Sequence, residues 1–171
     1  MNRAVSMLLC LCVGVAVGDA SHQRIAPEAF TGKDKMEAAR ALLEQATRQA
    51  GRGSWERIAV GRVYYLGGMK PEGQAIFDAV LAGRPESSDV IRIARVYREA
   101  GEWPRAKELF DRYVKESPRD ETELAEIGAW YLLAGDRDTA ESLFAQSFRI
   151  DEDVWATVAA AGAYLGVVPQ P

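Results

Sequence analysis

The chain has 171 residues, 48% of them apolar and 27% charged, the composition of a folded globular protein and not of a disordered or fibrous one. With 21 Lys+Arg against 25 Asp+Glu the formal charge is −4. No basic surplus exists to displace phosphate counterions, which excludes a general nucleic-acid binder.

Met1-Asn2-Arg3 is a short positive start, Ala4 to Val17 is an apolar run too short to cross a bilayer comfortably, and small residues follow. Residues 1–20 are therefore expected to be a secretory signal peptide, cleaved after Gly18 or after Ala20, leaving no stable membrane span. Cys10 and Cys12 fall inside the removed run, so the mature chain has no cysteine and no disulfide. The expected location is periplasmic or secreted, in a bacterial envelope. Residues 21–33, with the only histidine, His22, read as a flexible mature N-terminus.

From residue 34 onwards the chain repeats itself. Val60-Gly61-x-x-Tyr64, Ile93-Ala94-x-x-Tyr97 and Ile127-Gly128-x-x-Tyr131 recur at spacings of 33 and 34 residues. Each copy continues with a glycine (Gly68, Gly101, Gly135), a tiny residue (Gly73, Ala106, Ala140) and a phenylalanine (Phe77, Phe110, Phe144). Val90, Ile93, Ala94 and Tyr97 follow i, i+3, i+4, i+7, as do Ala106, Leu109, Phe110 and Tyr113, so each copy holds two helices with one apolar stripe apiece. The glycines stop the first helix, and Pro71 and Pro104 suit the first turn of the second, where no amide donor is needed.

This pattern resembles the tetratricopeptide repeat family. The resemblance implies an all-α, right-handed solenoid of stacked antiparallel helix pairs, occupying residues 34–168. Repeats are expected at about 54–86, 87–120 and 121–154, flanked by a lone second helix at 35–49 and a lone first helix at 154–165. Ala39, Leu43 and Ala46, 34 residues ahead of Gly73, Phe77 and Val80, mark the first of these lone helices. The departures from the family pattern are Arg57 for tryptophan, Gly73 for alanine and Glu152 for proline.

No catalytic, cofactor-binding or metal-binding residue is expected. With one histidine in the N-terminal segment and no cysteine left after the expected cleavage, nucleophilic catalysis on a histidine base and zinc binding lack their side chains. Glu108, Glu116, Glu121 and Glu141 alternate with Lys and Arg as a solvated helix face would. Asp151-Glu152-Asp153 reads as a helix start, not a calcium loop.

The resemblance also implies that first helices line a concave groove. Trp55, Ile58, Arg62 and Tyr65 are expected there, then Ser88, Ile91, Arg92, Arg95 and Arg98, then Thr122, Ala125, Glu126, Ala129 and Leu132. Trp55, Arg62, Tyr65, Arg92, Arg95 and Arg98 are the candidate partner-binding set: arginine forks suit the carboxylates of an acidic protein or peptide segment, and the rings suit an apolar side chain. The alternative is an arginine face paired with Glu99 and Glu126. A terminal-carboxylate clamp is disfavoured, because Ile58, Thr122 and Glu126 replace residues that such clamps use.

The last helix has no charge after Asp153. Trp155, Ala160, Ala163 and Tyr164 are therefore expected at a C-terminal interface for a homo-oligomer or an envelope assembly, unless the tail folds back over it. The expected function is a non-catalytic protein-interaction module or adaptor, the alternative a structural subunit joined through that helix.

Overall fold

A computed structural model describes residues 24–169. The expected signal segment, Cys10, Cys12 and His22 lie outside the described residues. Within them the chain forms eight α-helices and a short 3-10 turn at Pro27–Ala29, and no strand. The helices are α1 (Lys35–Ala50), α2 (Ser54–Leu66), α3 (Lys70–Leu81), α4 (Ser87–Glu99), α5 (Trp103–Glu116), α6 (Glu121–Leu133), α7 (Arg137–Ser147) and α8 (Val154–Tyr164). None is long and apolar enough to cross a membrane.

The helix boundaries follow from local chemistry. Gly68, Gly101 and Gly135 adopt φ of 87°, 76° and 91°. These left-handed residues let the next amide turn back onto the preceding helix, giving Met69 N to Tyr64 O, Glu102 N to Tyr97 O and Asp136 N to Tyr131 O, each at 2.9 Å. Asp34, Asp120, Asp136 and Asp153 cap helix starts by accepting from backbone amides two or three residues on. Short turns then force each helix to run back along its predecessor, so α2 packs on α3, α4 on α5 and α6 on α7. The arrangement is a tetratricopeptide-like helical solenoid.

Each pair buries a small residue against a large one. A methyl group added at Gly61 would lie 2.6 Å from the Phe77 ring, and one at Gly128 would lie 2.8 Å from Phe144. Phenylalanine then joins consecutive pairs: Phe77 lies 5.6 Å from Tyr65 in its own pair and 5.8 Å, edge to face, from Tyr97 in the next. One apolar cluster runs from Ile58 to Ala163, and a smaller one of Leu43, Val60, Tyr64 and Met69 seals α1 onto α2.

First helices also touch one another, α2 with α4 and α6 with α8. Ile58, Ile91, Ala125 and Ala129, expected on the open groove, are therefore buried. An offset from one buried stripe assumes a single packing partner, and an interior first helix has more than one.

Candidate protein interface

The four first helices carry the expected binding residues, and the structure does not present the arginines as one open strip. Arg62 on α2 donates from Nε to Glu99 on α4 at 2.8 Å, with a second bond from Nη2 to the other carboxylate oxygen. Arg95 donates from Nε and Nη2 to the two oxygens of Glu126 at 2.7 and 2.6 Å, and from Nη2 to Glu123 at 2.6 Å, tying α4 to α6. Burial by itself opposes the Arg95 charge, but bonding and attraction from Glu126, then Glu123, outweigh it and raise its pKa. Burial raises the Glu123 carboxyl, and Arg95 works against that shift. Trp130 Nε1 adds a bond to Glu126 at 3.2 Å, which closes the cluster.

Arg92 and Arg98 behave differently. Arg92 lies over the exposed Trp55 ring with its guanidinium carbon 3.6 Å from the centroid, and Arg98 lies 4.8 Å over Trp130. Neither has a carboxylate partner within 4.0 Å among the described residues. Cation–π contact holds such a group in place without neutralising its charge. Trp130 was not foreseen as part of this face, and only the packing of α6 beside α4 brings it there.

Tyr65 is a core residue. It is buried beneath the second helix of its own pair, and only its hydroxyl reaches polar groups, donating to Glu102 at 2.7 Å and accepting from Arg105 at 2.7 Å. Lys70 also bonds Glu102, and Arg105 continues to Gln74 and the Tyr97 hydroxyl. Lys70 first, then Tyr65, hold the Glu102 carboxyl down at about 2, while burial and the bond to Glu102 push the Tyr65 phenol up to about 12. This network joins the first pair to the second. Tyr97 is one of the repeated tyrosines, and Lys107 meets Tyr131 as Gln74 meets Tyr97, but the bonds from Tyr65 to Glu102 and Arg105 cross between pairs and are not read from the repeat.

At the C-terminal end, Trp155 and Tyr164 are exposed, but Ala160 and Ala163 face inward and are buried. Their small side chains let α8 settle closely on α6, so they are core and not interface. Tyr164 packs 6.0 Å from Phe144 and donates its hydroxyl to Glu141 at 3.0 Å. Gly166 at φ 76° turns the tail back, with Val167 N bonded to Gly162 O at 2.9 Å. The tail, α6 and α8 enclose a cleft of about 480 Å³ between Thr122, Glu126, Trp155, Val158, Gly162 and Val167. Much of the apolar surface of α8 stays open, with Val154 and Leu165 exposed beyond the cleft and Trp155 and Val158 exposed at its wall. Among the described residues no three His, Cys, Asp or Glu side chains gather as a metal site.

Residues 91–120, which run from within α4 to just past the end of α5, match the family described as Tetratricopeptide repeat. Curated proteins and solved structures give no match to the chain. The matched segment coincides with one of three similar helix pairs, so the chain is similar to the tetratricopeptide repeat over that pair.

Proposed function

We propose that the chain is a non-catalytic interaction module, exported to the periplasm or cell envelope of a bacterium, which holds an acidic partner segment against its first-helix face. The observation that carries this reading is the pair Arg92 and Arg98. They sit one turn to either side of the closed Arg95 cluster, each positioned on a tryptophan ring and each without a carboxylate partner among the described residues. Guanidinium groups so held are pre-organised to fork onto a carboxylate, at little cost in side-chain freedom. Trp55 beside Arg92 offers apolar contact to the same segment. Export is supported by the Met1 to Ala20 pattern alone.

Crosslinking in the native envelope, followed by identification of the captured protein, supplies the ligand for the test. An acidic segment should bind more weakly to Arg92→Glu and Arg98→Glu, and more weakly as salt is raised. Unchanged affinity in both variants would move recognition elsewhere.

A second reading, a structural subunit joined through its C-terminal end, is favoured by one observation. Trp155 at the cleft wall and Leu165 after α8 are 70% and 82% exposed, an uncommon amount of uncovered apolar surface for one helix.

A further inference from the structure

The strip of α4 that carries Arg92 and Arg95 has an uncharged continuation on α8. Counted back from Tyr97, Tyr131 and Tyr164, Ala159 stands where Arg92 and Glu126 stand in the two first helices before it, and Gly162 stands where Arg95 and Ala129 stand. The side chains that fill this strip on α4 and α6 shrink to alanine and glycine, and the returning tail lies in part of the space. A methyl group added at Gly162 would touch Val167 at 3.6 Å, and Val168 and Pro169 continue along the opening. About 480 Å³ stays open, within the roughly 300–1,000 Å³ of small-ligand sites.

The polar atoms bordering this cleft are already bonded. Both Glu126 oxygens accept from Arg95, and one of them accepts from Trp130 as well. The Thr122 hydroxyl donates to Asp153 at 3.0 Å. A polar group entering here would give up its water for no waiting partner, which is unfavourable. The walls favour the opposite kind of occupant. Trp155 and Val158 on α8 and Val167 and Val168 on the tail border one cleft, yet each is more than half exposed, so the two apolar sides do not cover each other. A single apolar side chain set between them would take both out of water.

Charge decides what carries that side chain. Glu126 at the cleft precedes Trp130 by one turn of α6, and Trp130 holds Arg98 over its ring, so the cleft and a cation without a carboxylate partner among the described residues flank the same turn. Arg92 and Arg98 attract carboxylates to this face and repel a basic segment. We infer that the cleft between α6, α8 and the tail receives one large apolar side chain of the acidic segment held by Arg92 and Arg98, with Val167 and Val168 closing over it. The inference rests on that reading of the two arginines and adds what the segment must contain: an aromatic or long aliphatic residue beside its carboxylates.

Two synthetic peptides test it, a decamer of alternating Glu and Ser and the same decamer with one central Ser replaced by Phe, equal in charge. The parent is expected to bind the Phe peptide about tenfold more tightly than the other, measured by fluorescence anisotropy. Ala159→Phe fills the cleft from within, and Val158→Ser strips one wall at an exposed position. Both variants are expected to lose most of that preference, to bind the Glu-Ser peptide as the parent does, and to keep their helix content by circular dichroism. Arg92→Glu/Arg98→Glu is expected to weaken both peptides. A parent that binds the two peptides equally, as it would if the tail closed the cleft on its own, or either folded cleft variant keeping the full preference, would overturn the inference and leave the arginine reading standing. A parent that binds neither peptide would overturn both.

Discussion

Arg95 meets Glu126 through two parallel hydrogen bonds, at 2.7 and 2.6 Å, so a charged pair from successive repeats is already closed on the face where a partner would bind. The Arg95 side chain is only 20% exposed, and Glu123 shares it. It is a joint between repeats.

The Arg95→Glu variant is therefore expected to lose stability, contrary to what a groove contact would give. Three carboxylates would face one another, at a cost of about 3 kcal/mol in urea unfolding. Adding Glu126→Arg in the same chain should restore most of the loss. A swap that restores nothing would show that the pair does not hold α4 to α6.

Glu102 makes stability depend on pH in the acid range. Its folded value, about 2, lies below the ordinary 4.5, so its contribution is fully present above 4.5 and is lost as pH falls from there towards 2. Glu102→Gln should cost about 1 kcal/mol at neutral pH, after solvent screening, and nothing near pH 2. Denaturant midpoints of the two proteins at several pH values measure this, and parallel curves would contradict it.

Gly73→Ala moves towards the family pattern and is nonetheless expected to destabilise. The added methyl would lie 2.7 Å from the Gly61 carbonyl oxygen and the Tyr65 amide, both backbone atoms that cannot swing aside. Forcing α2 and α3 apart should cost about 1–3 kcal/mol, more than the helix propensity gained. A thermal midpoint at or above the parent's would show that the pair can open without cost.

Export is tested by intact mass. The protein recovered from the envelope is expected to start near Ser21; a mass that retains Met1 to Ala20 would contradict the signal reading.

Much of the fold was legible because repetition amplifies weak local signals. A glycine four residues after Tyr64, Tyr97 and Tyr131 marks each turn, and the tiny residue and the phenylalanine after it set which faces meet. The site was less legible. Tyr65 shares its offset with Arg98 and Leu132, and only the second helix lying over it decides that it is core. The direction of Ala160 and Ala163 cannot be read from α8, whose residues are apolar all round; α6 selects the inward side. Glu99 and Glu126 were legible as alternative partners of the arginine face, and they pair with Arg62 and Arg95, but spacing does not reveal that Glu123 joins Arg95 while Arg92 and Arg98 have no carboxylate beside them, because those contacts cross between repeats.

The central claim is that Arg92 and Arg98 hold an acidic partner segment. Its most direct test is the dissociation constant of the crosslink-identified partner for the parent and for the Arg92→Glu/Arg98→Glu double variant, at two salt concentrations. The account predicts at least about tenfold weaker binding for the variant, about 1.4 kcal/mol, and a shallower salt dependence, with helix content unchanged. Equal affinity and equal salt dependence in a folded double variant would contradict it.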